Sequence, residues 1–148
     1  MLGIRLVRLI EKHSEDIAGG LTARLRTSER TPGYHNLRED ELRTSVTALY
    51  SHLEDWLLKK TDSDIEQHFK DVGAKRALDG IPSSELAWAL MMSKSQLWTF
   101  VYREAAAEKA LELYSELEFL ETLDRFFDRA IYYALIGYEQ RARVMKAA

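Results

Sequence analysis

A chain carrying GIPSSELAWALMMSKSQLWTFVY at residues 80–102 has few ways to fold. Gly80 is a breaker, and Pro82 suits a first helical turn, where its missing N–H had no partner to lose. The apolar run that follows is too long for a strand and poor in β-branched residues, so it reads as a helix. At 100° per residue, Leu86, Leu97, Leu90, Val101, Ala87, Trp98, Met91 and Tyr102 fill one broad arc, leaving a narrow wet strip near Thr99, Arg103 and Gln96. A helix apolar over so much of its circumference is expected to be buried and touched by several neighbours.

The rest of the chain supplies those neighbours. Apolar positions Leu6, Leu9, Ile10, Ile17, Leu21 and Leu25 recur at helical spacing, predicting a first helix from about Leu2 to Arg26, softened at Gly19–Gly20. A connection turning at Pro32–Gly33 follows. A second helix is expected from Asn36, with Glu39 completing a capping box, along the stripe Leu42, Val46, Leu49, Leu53, Trp56 and Leu57. A third runs from Ser63, paired with Glu66, carries Ile65, Phe69 and Val72 inward, and stops at Gly80 as a left-handed cap. The stripe lapses after Arg103, which places a helix–helix turn between Glu104 and Leu113. A long last helix then presents Leu113, Leu117, Leu120, Leu123, Phe127, Ile131, Leu135 and Tyr138, widened by Phe119, Phe126, Ala130 and Ala134. The prediction is one all-α domain over residues 1–148, a bundle of five to six helices with a long C-terminal helix. The surplus apolar width of that helix predicts a homodimer, with Leu120, Leu123, Phe127, Ile131, Ala134 and Tyr138 at the interface.

Composition removes several functions. The chain has no cysteine, which excludes disulfides, thiolate catalysis and cysteine-held metals. A net charge of −3, with both signs interleaved throughout, argues against a nucleic-acid surface. Charge-free apolar runs such as Leu86–Ser93, about 8 residues, fall far short of the ~20 needed to span a bilayer, so no membrane span is expected. The four histidines, His13, His35, His52 and His68, show no metal-ligand spacing. No nucleophile elbow or Gly-rich phosphate loop is present, so no catalytic residue is assigned and no enzyme is expected. A haem would need a proximal histidine beside an apolar pocket, and of the later helices only the third offers one, His68.

Two cations sit among apolar neighbours. Arg76 falls on the inward line Ile65–Phe69–Val72, and Lys94 projects into the apolar arc of the central helix. The plain account lays their methylenes on the core and carries the charge to the rim. The sharper one is an anion-reading ligand pocket under the central helix, built from Arg76, Met91, Lys94 and Trp98. Asp124, within the last stripe, is a candidate partner for either cation.

The block Arg76-Ala77, Gly80-Ile81-Pro82, Glu85-Leu86 and Leu97-Trp98 resembles the N-terminal regulatory domain of RsbR-type stressosome proteins and related sensor histidine kinases. IEKHSEDIAGGLTARLR, TPGYHNL…DEL and FFDRAIYYALIGYEQ are similar to the same family in order and spacing, so the likeness spans nearly the whole chain. The resemblance implies a globin-like bundle without haem or other cofactor. It implies a cytoplasmic, dimeric, non-enzymatic input domain that passes a packing change along its last helix to an output module, an STAS domain or a kinase transmitter. The chain is then expected to be the N-terminal part of a longer bacterial signalling protein, with an unknown small ligand as a further partner. The rival readings are a haem- or cofactor-binding sensor and a scaffold without any ligand.

Overall fold

A computed structural model describes residues 4–105 and 113–147. Among these the chain forms helices and no strand: α1 (Ile4–Lys12), α2 (Ser14–Thr27), α3 (Glu39–Ser51), α4 (Asp62–Leu78), α5 (Ser83–Ala105) and α6 (Leu113–Ala147). A 3₁₀ turn, Pro32–Asn36, links α2 to α3, and a π turn, Asp55–Lys59, precedes α4. The turn expected between Glu104 and Leu113 lies almost wholly outside the described residues.

Several boundaries differ from the sequence expectation, each for a local reason. The first helix breaks at His13 (φ −102°, ψ 18°), while α2 runs on through Gly19–Gly20. The Asn36 capping box does not form, because Pro32 draws residues 32–36 into the 3₁₀ turn and α3 starts later, behind Arg38. The cap of α4 is Thr61 rather than Ser63. Its Oγ1 accepts the Asp64 N–H at 3.1 Å, and the Asp64 carboxylate accepts the Thr61 N–H at 3.0 Å. At the other end of α4 the expected glycine stop is present. Gly80 has φ +73°, its N–H reaches the Ala77 carbonyl and the Ile81 N–H reaches the Arg76 carbonyl, the two bonds of a Schellman cap.

Helix α5 touches α1, α2, α4 and α6, as its broad apolar arc requires. Leu86, Ala89, Leu90, Met92, Leu97 and Val101 are buried on it. Met91 and Tyr102, assigned to the same arc, are instead 43% and 61% exposed, so the wet strip is wider than the wheel implies.

The most extensive helix contact is made elsewhere, between α4 and α6. It is a backbone contact. A Cβ placed on Gly73 would stand 1.8 Å from the Ala134 carbonyl oxygen, and one on Gly137 would stand 2.2 Å from the Lys70 carbonyl oxygen. Around this crossing, Phe69, Phe126 and Phe127 meet edge to face, with centroids 5.7 Å apart for Phe69–Phe126 and 5.2 Å for Phe126–Phe127. The Tyr138 hydroxyl donates to the Ile81 carbonyl at 2.5 Å, tying α6 to the loop that follows α4.

Candidate functional site

Helices α3, α4 and α5 do not close completely on one another. Between them lies a cleft of about 390 Å³, within the size range of small-molecule sites. From α3 it takes Leu42, Val46 and Leu49; from α4, Phe69 and Val72; from α5, Leu86, Ala89 and Leu90. These are the inward stripes of three amphipathic helices, which explains why the walls are mainly apolar. Leu25 of α2 and Tyr34 of the 3₁₀ turn close one end.

The charged groups, Lys75 and Arg76, collect at that end. Arg76 lines the cleft with its side chain only 11% exposed, and it donates to Asp79 at 2.9 Å. Its guanidinium carbon lies 5.5 Å over the ring of Tyr34. Burial pushes the Tyr34 phenol up to about 12, with the Arg76 charge opposing the rise. Lys75 also lines the cleft, is exposed, and has no carboxylate partner among the described residues. The nearby Glu85 is buried but already engaged, accepting the Gly33 N–H at 2.6 Å.

Toward the other end, the Tyr50 hydroxyl donates to the Ser93 carbonyl at 2.8 Å, and Ser93 returns its own hydroxyl to the Ala89 carbonyl at 2.9 Å. His68 lines this end and packs on Trp56, with ring centroids 4.7 Å apart. Burial holds its pKa below the usual histidine range, and the Lys60 charge adds to the effect against Asp71. The histidine considered as a haem ligand thus borders the cleft, with its ring tilted 52° against an indole. A smaller hollow of about 240 Å³ shares Ser45, Ala48, Leu49 and His68 with the main cleft and continues it toward Trp56 and Lys60.

The four residues expected to form one pocket are not brought together. Arg76 lines the cleft; Met91, Lys94 and Trp98 do not. Lys94 sits 3.6 Å from the Asp124 carboxylate, which also accepts the Trp98 indole N–H at 3.0 Å. Asp124 therefore belongs to Lys94, on the α5–α6 side of the molecule. Met91 is exposed to solvent. The physical reason is azimuth. The cleft-facing residues of α5 lie about 100° round the helix from Lys94 and Trp98.

Of the residues expected at a dimer interface, Leu120, Leu123, Phe127 and Ala134 are buried inside the single chain. Ile131 and Tyr138 are half-buried and packed on the same core. The apolar residues that α6 leaves open include Leu117, 53% exposed, and Tyr132, 62% exposed. With the half-buried Ile136 they fall on one side of the helix, while Leu135, at the edge of that side, packs on the core.

Sequence reasoning missed Tyr34, which lies in what reads as a plain Pro-Gly turn. The available signal was an aromatic residue directly after that turn. It also read Leu42, Val46 and Leu49 as ordinary core, because a stripe records the inward side of a helix and not whether a neighbour fills the space.

No described helix is long and apolar enough to cross a membrane, and no metal-holding cluster of acidic residues and histidines occurs among the described residues. In comparisons with known proteins, residues 15–146 match the family model described as RsbT co-antagonist protein rsbRD N-terminal domain. No curated protein and no solved structure matches the chain.

Proposed function

The chain belongs to the RsbT co-antagonist protein rsbRD N-terminal domain family, and from that premise we propose that it is a non-enzymatic, cytoplasmic input domain whose cleft is the point of entry for a signal. The observation that carries this reading is the backbone contact between α4 and α6. Helix α4 forms one wall of the cleft, and at Gly73 and Gly137 nothing but main chain separates it from α6. Side chains at a helix interface can change rotamer and absorb a displacement. Backbone on backbone cannot, so a shift of α4 away from α3 carries α6 with it. The Tyr138–Ile81 hydrogen bond adds a second tie close to Arg76.

From Glu139 to Ala147 almost every residue of α6 is exposed, so this end is free to hand the movement to an output module such as an STAS domain or a kinase transmitter. The open side of α6, with Leu117, Tyr132 and Ile136, is the surface on which a second copy would pack. An occupant of the cleft moves this equilibrium only by as much as it prefers one packing over the other.

The test uses spin labels at Glu41→Cys on α3 and Arg143→Cys on α6, in a chain with no native cysteine to interfere. Filling the cleft with Ala89→Phe, or with Leu49→Phe at a half-buried site, is expected to shift the α3–α6 distance by about 1–2 Å. An unchanged distance in folded variants of both kinds refutes the coupling. Sedimentation velocity tests the pairing: a monomeric wild type, or a Tyr132→Glu variant that stays dimeric, removes α6 as the interface.

A further inference from the structure

The residues that surround the cleft carry an uneven charge. Its ionisable lining is Lys75, Arg76, His68 and Tyr34, and no carboxylate lines it among the described residues. Of the acids closest to the Arg76 end, Asp79 offsets Arg76 itself and Glu85 accepts the Gly33 N–H, which leaves the Lys75 ammonium as the unbalanced charge. Asp55 lines only the smaller hollow beyond His68. One end of an otherwise apolar space is therefore cationic, and its length along α4, from Arg76 to His68, is ~12 Å at the helical rise.

We infer that the cleft binds an organic anion with an apolar body, the anionic head at Lys75 and Arg76 and the body running along Val72, Phe69 and Leu90 toward His68. The head finds a guanidinium with donors to spare, since Asp79 occupies one of its N–H groups, and an ammonium without a carboxylate partner. Aiming a cation down the cleft would set it against the Lys75 ammonium and the guanidinium beside it, and a neutral body would leave Lys75 unanswered, since Asp79 pairs only with Arg76. This inference names the ligand class for the site proposed above and rests on the cleft being that site.

Isothermal titration calorimetry on the full chain, with octanoate, octyl phosphate, octan-1-ol and octylammonium, tests it, and amide shifts at Ala89 and Ser93 report the location. Octanoate or octyl phosphate is expected to bind roughly tenfold or more tighter than octan-1-ol, with octylammonium weakest; the tighter of the two anions identifies the head. Lys75→Glu, an exposed change that leaves the core untouched, is expected to erase most of that preference. Ser45→Trp at the mouth is expected to block binding by bulk alone. Equal binding of octan-1-ol and both anions, a preference for octylammonium, anion binding that leaves Ala89 and Ser93 unmoved, or no binding by either anion overturns the inference. Two failures remain distinct. Anion binding without a change in the α3–α6 distance defeats the coupling and keeps the ligand class. A distance change on filling the cleft, with no anion bound, does the reverse.

Discussion

Replacing Gly73 with alanine puts the α4–α6 contact to a quantitative test. Alanine in a helix interior is ordinarily favoured over glycine by about 1 kcal/mol. At Gly73 the added methyl would stand 1.8 Å from the Ala134 carbonyl oxygen and 2.8 Å from the Tyr138 nitrogen. Both obstacles are main chain, so no rotamer change relieves the overlap. The helices must separate by roughly an ångström or more, loosening the aromatic cluster of Phe69, Phe126 and Phe127. Overpacking a well-filled core costs about 1–3 kcal/mol, and an obstacle that cannot yield belongs at the upper end. Against the propensity gain, the net loss is about 2 kcal/mol, which for a domain of this size lowers Tm by roughly 4–8 °C.

Gly19→Ala in α2 is the matched control. It too lies within a helix, but the new methyl would meet only the guanidinium end of Arg43, 3.0 Å away, which can swing aside. That variant is expected to hold or gain stability, by up to about 1 kcal/mol. Thermal melts followed by circular dichroism, at one protein concentration because association shifts Tm, read both changes. If Gly73→Ala melts at or above the wild type, α4 and α6 are not in backbone contact and the proposed route from cleft to α6 loses its basis.

Gly80→Ala is expected to cost about 1–2 kcal/mol for a different reason: φ is +73° with nothing within 4 Å of the new methyl, so the penalty is backbone strain alone, measurable by urea unfolding. Tyr138→Phe removes the hydroxyl donated to the Ile81 carbonyl and is expected to lose about 1 kcal/mol in the same assay. The Thr61–Asp64 capping box makes a pH prediction. Hydrogen bonds from Thr61 hold the Asp64 carboxyl below its usual range, so its contribution is present above pH ~4 and fades as the pH falls through the lowered folded-state value. The Tm gap between wild type and Asp64→Ala should therefore narrow from pH 7 to strongly acidic solution; a constant gap refutes the box. His68 has a lowered pKa, so the folded state resists its protonation. Stability is full above pH ~6.5 and falls as the solution is acidified through the folded-state value, a slope that His68→Phe should flatten.

The architecture was legible because long helices leave long patterns. Pro82 and Gly80 fixed the start of α5, and the cap at Gly80 has the left-handed backbone that glycine alone takes cheaply. The breaks were less readable. At His13 the apolar spacing continues across a residue that leaves the helix, so periodicity has nothing to register. At Thr61 and Ser63, two possible caps stand two residues apart, and only the geometry of Asp64 decides between them. The site was half visible. Arg76 announced itself as a charge on an apolar stripe of α4. Lys94 did so too, but a helix apolar over most of its circumference does not say which neighbour stands on which side, and Lys94 meets Asp124 of α6.

The same ambiguity explains why α6 reads from sequence as a dimerisation helix along its whole apolar side. Leu120, Leu123, Phe127 and Ala134 are apolar because α6 must satisfy its own chain first, and the residues left for a partner are fewer and more scattered. Were α6 to serve both contacts, as proposed, the two would not be equal. Its core side is held against α4 with no side chain between the backbones at Gly73 and Gly137, while its open side rests on surface residues such as Tyr132. The internal contact is then the stiffer of the two, so a displacement entering from the cleft would be expressed at the weaker contact, between copies, before it disturbed the fold. A bundle held equally tightly on both sides would either transmit nothing or come apart. Here the asymmetry lies in the placement of two glycines.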